Sequence, residues 1–335
     1  MNKKPILIAE IGGNHEGDFD LALELGSQAI EAGADYIKYQ VYTADGLINP
    51  VISSERHKHF NRLSLPTEKY IELAKKIEAL GGRFLASIWN VEDIKLFANY
   101  MDFFKIGSGD LTCYPILREI SNIGKPIVIS TGLANMSEVK DAVNFICQLN
   151  PDYKESGMLT IMQCTSMYPT DANDLNLSVI NSYKEEFPLH DVGYSHHHKE
   201  SWPIEVAYTL GANMIEFHFT HDKSIESFRD HQLSLTKDEL VSLKNKLELI
   251  QISAGCPSKE VTRSELNANH IEEFRRGVYV KNDMKIGSVI QEEDLVVLRP
   301  DMGISSSAYF SLLGKRTNKI LNAYAPLSFN DFDEP

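Results

Sequence analysis

The chain has 335 residues, 43% of them hydrophobic, which is enough to bury the core of one large domain and of a second, smaller one. Its formal net charge of −14 argues against nucleic acid or an anionic membrane as the main partner, because both would repel it. No run of about 18 apolar residues is present, so no membrane span is expected. The four cysteines form no CxxC pair, which is typical of a protein of the reducing cytoplasm.

Short apolar runs alternate with segments of helical periodicity along most of the chain. The strand-like runs are 6–12, 35–41, 83–89, 103–109, 126–131, 158–164, 191–195 and 214–220. The helical segments are 20–32, 67–80, 91–99, 114–122, 136–149, 174–186, 201–210 and 236–253, with a polar insertion at 43–66. A doubly wound open sheet shows the same alternation, but eight repeats favour an α/β fold of the (β/α)8, or TIM-barrel, type.

The rest of the chain differs in composition from this alternating part. Residues 256–272 are polar and rich in turn-forming residues, so we interpret them as a linker. Residues 273–335 contain short β-like runs between turns, which predicts a small β-rich domain. The predicted organisation is therefore a barrel domain at 1–255, a linker at 256–272 and a small domain at 273–335.

Most of the predicted barrel strands end in polar residues, although the strands of a parallel barrel are normally apolar throughout. These residues are Glu10, Lys38, Gln40, Ser87, Lys105, Ser108, Ser130, Thr131, Thr165, Ser166, Ser195, His197, Glu216 and His218. The carboxyl ends of barrel strands form the active-site face of such enzymes. A single polar strand end is often a solvated turn, but a series of eight indicates an enzyme.

The types of these residues indicate two kinds of ligand. Lys38 and Lys105, together with the serine hydroxyls, could hold a phosphate, unless each lysine simply extends to solvent. His197 and His218 lie near the ends of neighbouring strands and could bind one divalent ion, with Glu10 nearby. The alternative for each histidine is a hydrogen-bonded residue of the core.

Several motifs together resemble the N-acetylneuraminate (sialic acid) synthase family, which includes legionaminate, pseudaminate and spore-coat polysaccharide synthases. The motifs are IAEIGGNHEG (8–17), YIKYQ (36–40), FFKIGSGD (103–110), KPIVISTG (125–132), QCTSMYPT (163–170), GYSHHH (193–198), IEFHFT (215–220) and RDHQLSL (229–235). The tail, with VYVKNDMKIGSVIQEEDLVVLRP and YFSLLGKR, is similar to the family's antifreeze-like (SAF) domain. The resemblance covers nearly the whole chain in the family's order.

The resemblance implies a condensation of phosphoenolpyruvate with the aldehyde of an open-chain N-acylated sugar, with release of phosphate. It implies that Glu10, Lys38 and Lys105 are catalytic and that a divalent cation, Mn²⁺ or Mg²⁺, binds to His197 and His218. The implied phosphoenolpyruvate-binding residues are Lys38, Ser87, Lys105, Ser108, Ser130, Ser166 and Ser195. The implied sugar-binding residues are Gln40, Asp110, Tyr168, Asp230 and Arg299, the last one delivered by the small domain of a partner in a domain-swapped homodimer.

The chain departs from the family's pattern around these positions. The family usually has Ser-Asp-His-Thr where this chain has Ser-His-His-His at 195–198. Gln163 stands where a histidine often precedes the cysteine, and Phe217 replaces a basic residue. Trp89 also departs from the common end of the third strand. These changes leave the acceptor sugar open.

Two other readings of the sequence remain. One is a different barrel enzyme, either another phosphoenolpyruvate-dependent sugar-acid synthase or a Schiff-base aldolase. The other is a non-catalytic sugar-binding protein that uses its small domain. The intact set of polar strand ends favours an enzyme.

Overall fold

The computed structural model describes residues 4–225 and 227–333, and the chain divides into two compact units between Gly255 and Cys256. The strands of the first unit are β1 (Ile6–Glu10), β2 (Tyr36–Val41), β3 (Phe84–Ile88), β4 (Phe104–Ile106), β5 (Ile127–Ser130), β6 (Leu159–Cys164), β7 (Asp191–His196) and β8 (Met214–His218). Its helices are α1 (Phe19–Ala32), α2 (Ala44–Leu47), α3 (Ser54–Leu63), α4 (Thr67–Ala79), α5 (Ile94–Phe97), α6 (Tyr114–Ile123), α7 (Met136–Leu149), α8 (Val179–Glu186), α9 (Trp202–Thr209) and α10 (Lys237–Ala254).

The strands of the first unit form a single parallel sheet. Its order is β3-β2-β1-β8-β7-β6-β5-β4. The first and last strands of this order, β3 and β4, lie beside each other, so that the sheet is a nearly closed barrel. The predicted (β/α)8 fold class is thereby confirmed, and the open-sheet alternative is wrong.

Local signals in the sequence set the ends of the helices. The Asp18 side chain accepts a hydrogen bond from the Leu21 amide and so caps the start of α1, which ends at Gly33 with a φ of 93°. Helix α10 begins with a capping box, in which Thr236 and Glu239 bond each other's backbone amides. These caps satisfy backbone groups at the helix ends and so define where α1 begins and ends and where α10 begins.

Alternate side chains of each strand face the helices and the barrel interior. In β2, Tyr39 faces outward and donates a hydrogen bond to the Ala22 carbonyl oxygen of α1 (2.9 Å). Lys38 and Gln40 therefore face inward. The register pairs Glu10 with Lys38 on one side and with His218 on the other. The α-carbons of these three predicted site residues therefore lie at the same height along the barrel.

The second unit begins at Cys256, and the segment predicted as a linker contains α11 (Arg263–Asn267) and α12 (His270–Phe274). Strands β9 (Gly277–Val280) and β10 (Leu295–Leu298) pair antiparallel, and α13 (Tyr309–Leu312) follows them. A separate apolar core, which includes Val278, Ile290 and Leu327, holds this unit together. Across the described residues of both units, no helix is long and apolar enough to cross a membrane.

Candidate active site

Four charged side chains meet inside the barrel at the carboxyl ends of its strands. Lys38 donates a hydrogen bond to Glu10 and lies 3.6 Å from a carboxylate oxygen of Glu216. The Nζ atom of Lys105 lies 3.4 Å from the other oxygen of Glu216. All four side chains are buried. We call Glu10, Lys38, Lys105 and Glu216 the charge quartet; its two lysines and two carboxylates balance when all are ionised.

Burial and the neighbouring charges shift the pKa values of the four quartet residues in different directions. Burial raises the pKa of Glu10 despite the neighbouring lysines. Burial would also raise the pKa of Glu216, but Lys105 and Lys38 outweigh it and lower that pKa to about 2. Burial lowers the pKa of Lys105, whereas the two carboxylates outweigh burial at Lys38 and raise its pKa. Glu216 is therefore the permanent anion, and Glu10 is the member able to take up a proton.

Serine hydroxyls surround the quartet. Ser130 accepts a hydrogen bond from Lys105 (2.7 Å), and Ser195 donates one to Glu216 (3.2 Å). Ser108 accepts a bond from the amide of Gly132 (3.0 Å), and the hydroxyl of Ser87 is buried with no partner among the described residues.

Ser166 and Ser108 both lie against the α-carbon of Gly132. A Cβ atom added at Gly132 would lie 2.8 Å from the Ser108 hydroxyl and 3.0 Å from the Ser166 backbone nitrogen. Glycine is therefore needed for these two loop ends to approach each other. The structure thus brings the seven predicted phosphoenolpyruvate-binding residues to the carboxyl ends of neighbouring strands.

The two predicted metal ligands lie side by side. The ring centroids of His197 and His218 are 5.3 Å apart. The Nδ1 atom of His197 lies 2.9 Å from the Thr165 carbonyl oxygen, which leaves its Nε2 free to bind a ligand. The Nδ1 atom of His218 is buried without a hydrogen-bond partner among the described residues. Burial lowers the pKa of His218 well below its ordinary value, so this imidazole is neutral.

Two imidazoles placed side by side, each with a ring nitrogen available to a ligand, fit a divalent transition metal. Among the described residues, however, no group of three or more histidine, cysteine, aspartate or glutamate side chains could hold an ion. Glu10, expected near the ion, bonds instead to Lys38 and accepts a hydrogen bond from Gln40 (2.9 Å). The site therefore offers two protein ligands, and the metal stays a prediction.

Of the residues predicted to bind the sugar, all but Arg299 lie around the same space as the charge quartet and the two histidines. The ring of Tyr168 lies 4.2 Å from the ring of His197, and Asp230 lies 3.6 Å from His218 Nδ1. Burial raises the pKa of Asp110, at the end of β4, to about 6. Arg299 belongs to the second unit, where its guanidinium lies exposed over the ring of Phe274 (5.4 Å). Its role stays a prediction.

The sequence analysis gave no role to Glu216, although it noted the residue among the polar strand ends. The signal was present, because Glu216 and His218 are two positions apart in β8 and share a face. Cys164 was also missed. Burial alone would raise the pKa of its thiol, but His197, with Nδ1 3.7 Å from the sulfur, lowers it to about 7.

A nearly closed (β/α)8 barrel with convergent charged and polar strand ends is the architecture of a barrel enzyme. Residues 26–259 match the NeuB family, and residues 275–333 match the SAF domain. The chain therefore belongs to the NeuB family, and the suspected family and the enzyme class are confirmed.

Known relatives are similar over nearly their whole length. An N,N'-diacetyllegionaminic acid synthase of Campylobacter jejuni is 34% identical, with 95% of this chain and 97% of the relative aligned. The human N-acetylneuraminate-9-phosphate synthase is 32% identical, with 92% of this chain and 88% of the relative aligned. The crystal structure of an N-acetylneuraminic acid synthetase from Leptospira borgpetersenii, in complex with citrate, matches with a TM-score of 0.73 and 26% identity. That match covers 80% of this chain and 91% of the Leptospira chain.

Proposed function

We propose that the protein is a nonulosonic acid synthase. It joins carbon 3 of phosphoenolpyruvate to the aldehyde of an open-chain N-acylated sugar and releases inorganic phosphate. The observation that carries this proposal is the charge quartet, in which two buried lysines lie within 3.6 Å of the ionised Glu216 carboxylate, beside the imidazoles of His197 and His218. Family membership, with relatives named as synthases of three such acids, supports it.

Lys38 and Lys105 bind phosphoenolpyruvate. Both ammonium groups are desolvated, so an approaching phosphate or carboxylate interacts with them more strongly than it would in water. The hydroxyl of Ser87, which has no partner among the described residues, and that of Ser130 supply hydrogen bonds to the same anion.

His197 and His218 hold the divalent cation, Mn²⁺ or Mg²⁺. When bound, the cation acts as a Lewis acid that makes the sugar aldehyde more electrophilic. The Thr165 carbonyl oxygen fixes the ring of His197 in the orientation that presents its Nε2 atom.

Glu10 moves the proton of the attacking water. After carbon 3 attacks the aldehyde, carbon 2 carries positive charge and water adds to it, giving a tetrahedral phosphate adduct. Burial raises the pKa of Glu10, so its carboxylate is basic enough to accept a proton from that water. Lys38 bonds one carboxylate oxygen of Glu10, and Gln40 donates a hydrogen bond to the other (2.9 Å). Gln40 thereby orients the carboxylate. Lys105 then stabilises the departing phosphate.

The acceptor sugar is held by Gln40, Asp110, Tyr168 and Asp230, and its N-acyl end is met by Arg299 of a second copy. A guanidinium offers several donors in a rigid fork, which suits an acyl carbonyl oxygen. The working form is thus a domain-swapped homodimer. We place it in the cytoplasm, because its four cysteines are all free.

The test measures phosphate release from phosphoenolpyruvate with a panel of N-acylated mannosamine-like and bacillosamine-derived sugars. The product should be the acceptor extended by three carbons, as mass spectrometry would detect. Glu10→Gln, which keeps the shape of the side chain and removes its basicity, is the control. Acceptor binding without phosphate release from any sugar would refute the proposal.

A Schiff-base aldolase is the second candidate, because burial lowers the pKa of Lys105 and a neutral amine is the form that attacks a carbonyl. Borohydride would then trap a covalent adduct on Lys105 when the oxo-acid product is added. The synthase predicts no adduct and strict dependence on phosphoenolpyruvate.

A further inference from the structure

Five aromatic rings form a continuous row at the mouth of the barrel, on the side of β2 and β3. Trp89 lies 5.1 Å from Tyr42 between ring centroids, and Tyr42 lies 5.4 Å from Phe60. His59 lies 5.8 Å from Phe60 and 6.0 Å from Phe228. We call Trp89, Tyr42, Phe60, His59 and Phe228 the aromatic row. Four of its members are half-buried, and Tyr42 is buried.

The row lies one step further out than the residues of the reaction site. In β2 and just beyond it, Gln40 and Tyr42 are two positions apart and so face the same side. Ser87 and Trp89 stand in the same relation in and after β3. Because the register pairs Gln40 with Ser87, Tyr42 and Trp89 are neighbours directly above them.

The other end of the row approaches the site from the loops after β1 and β8. A Cβ atom added at Gly13 would lie 2.7 Å from the ring of Phe228, so this ring covers the β1 loop directly. At Gly12 an added Cβ atom would lie 3.1 Å from Glu10 Oε1. Phe228 also stands two residues before Asp230. The row thus borders the space next to Glu10, Gln40 and Asp230.

We propose that the aromatic row is the subsite for the far end of the acceptor sugar, and that it selects an uncharged end rich in C–H groups, such as the terminal methyl of a deoxy sugar. This inference rests on the proposed function. Aromatic faces pack against apolar groups and gain little from an added hydroxyl, which would lose water without a fixed partner. Half-buried rings in a mouth that must admit substrate are suited to this contact.

The rings of the aromatic row carry no charge themselves, although arginines lie around them. Burial, followed by Arg62, lowers the pKa of His59, so the ring is neutral near pH 7. The guanidinium of Arg56 lies over the ring of Phe60 (5.9 Å), and that of Arg229 lies over Tyr168 (4.7 Å) and pairs with Asp230 (3.4 Å). Asp230 offsets the charge of Arg229.

The experiment compares three acceptors that differ only at the terminal carbon: a methyl, a hydroxymethyl and a phosphorylated hydroxymethyl group. For the wild-type enzyme, kcat/KM should be at least about tenfold higher with the methyl than with the hydroxymethyl acceptor, since an apolar pocket discriminates on the order of 10–100-fold. Trp89→Ala and Phe60→Ser should each reduce this preference below about threefold and leave the KM for phosphoenolpyruvate unchanged.

Tyr114→Ala is the matched control. Tyr114 packs against Phe145 (4.5 Å) on helices α6 and α7, outside the barrel, so this variant should keep the wild-type preference. Phe60 is half-buried on the inserted helix α3, and Phe60→Ser should fold even if Trp89→Ala does not.

The possible results separate the two proposals. Phosphate release with an unchanged preference in both folded variants would overturn the subsite alone. A wild-type preference for the phosphorylated or the hydroxymethyl acceptor would also overturn it. No phosphate release with any acceptor would overturn the proposed function together with the subsite.

Discussion

Lys105→Met tests the charge quartet directly, because methionine fills much of the same space without the charge. Two unit charges at the 3.4 Å that separates Lys105 from Glu216 attract by about 5 kcal/mol at an effective dielectric constant of about 20. A phosphate oxygen at a similar distance would lose an attraction of the same order. Removing one partner of a desolvated charged contact typically costs about 2–5 kcal/mol. The expected loss in kcat/KM for phosphoenolpyruvate is therefore about 30- to 5,000-fold.

Lys105→Met should destabilise the fold less than is usual when a buried carboxylate loses its charged partner. Without Lys105 the quartet has one lysine and two carboxylates, a net charge of −1. Burial already raises the pKa of Glu10, so this carboxyl can take up a proton and restore neutrality. Thermal unfolding should thus show a modest loss, while the use of phosphoenolpyruvate falls steeply.

Lys125→Met is the matched control. Lys125 is half-buried and donates hydrogen bonds to the carbonyl oxygens of Ala98 (2.6 Å) and Met101 (2.7 Å), just before β5. It should lose stability without a specific loss in the KM for phosphoenolpyruvate. Both variants are assayed by phosphate release at saturating acceptor, and substrate binding is measured as the shift in melting temperature. Wild-type KM and turnover in Lys105→Met would refute the assignment of this lysine.

Three further predictions follow from the site. His218→Ala should abolish turnover and lower the manganese content of the purified protein; full activity after chelation would contradict the metal assignment. Since burial raises the pKa of Asp110 to about 6, its carboxylate becomes protonated below that pH and kcat/KM for the acceptor should fall there. The Asp110→Asn variant should not show this fall of kcat/KM at low pH. If its pH profile is the same as that of the wild type, Asp110 does not bind the acceptor through its carboxylate. Inactive Arg299→Ala and Glu10→Ala proteins should recover part of the activity when mixed, because mixed dimers contain one intact site. Mixed dimers that form and stay inactive would show that the arginine does not act across the interface.

The barrel could be predicted from the sequence because each of its strands is short, apolar and separated from the next by a helical segment. The polar strand ends could be predicted as a site for the same reason, since parallel strands bring their carboxyl ends together. Periodicity alone does not show which side chains pair. Glu216 illustrates this limit, because its role depends on two lysines from β2 and β4 that meet it only in the closed barrel.

The aromatic row depends on structure in the same way. The insertion at 43–66 appeared as a polar segment, and helix α3 is indeed mostly exposed. Yet its His59 and Phe60 complete a row that begins in β2 and ends after β8. No periodic pattern relates positions so distant in the chain, so only the folded barrel brings these rings together.

The two residues that depart from the family pattern at 196 and 217 lie next to each other in the barrel. His196 and Phe217 are direct partners on β7 and β8, and both are fully buried. They alternate with Ser195, Glu216 and His218, so they face the helix layer and not the reaction site. By resemblance, an acidic and a basic residue stand at these two positions in the family. Burial lowers the pKa of His196 to about 3, so this ring is neutral beside Phe217. His196 and Phe217 therefore pack as uncharged neighbours behind the strands, on the face opposite to the charge quartet and the two histidines.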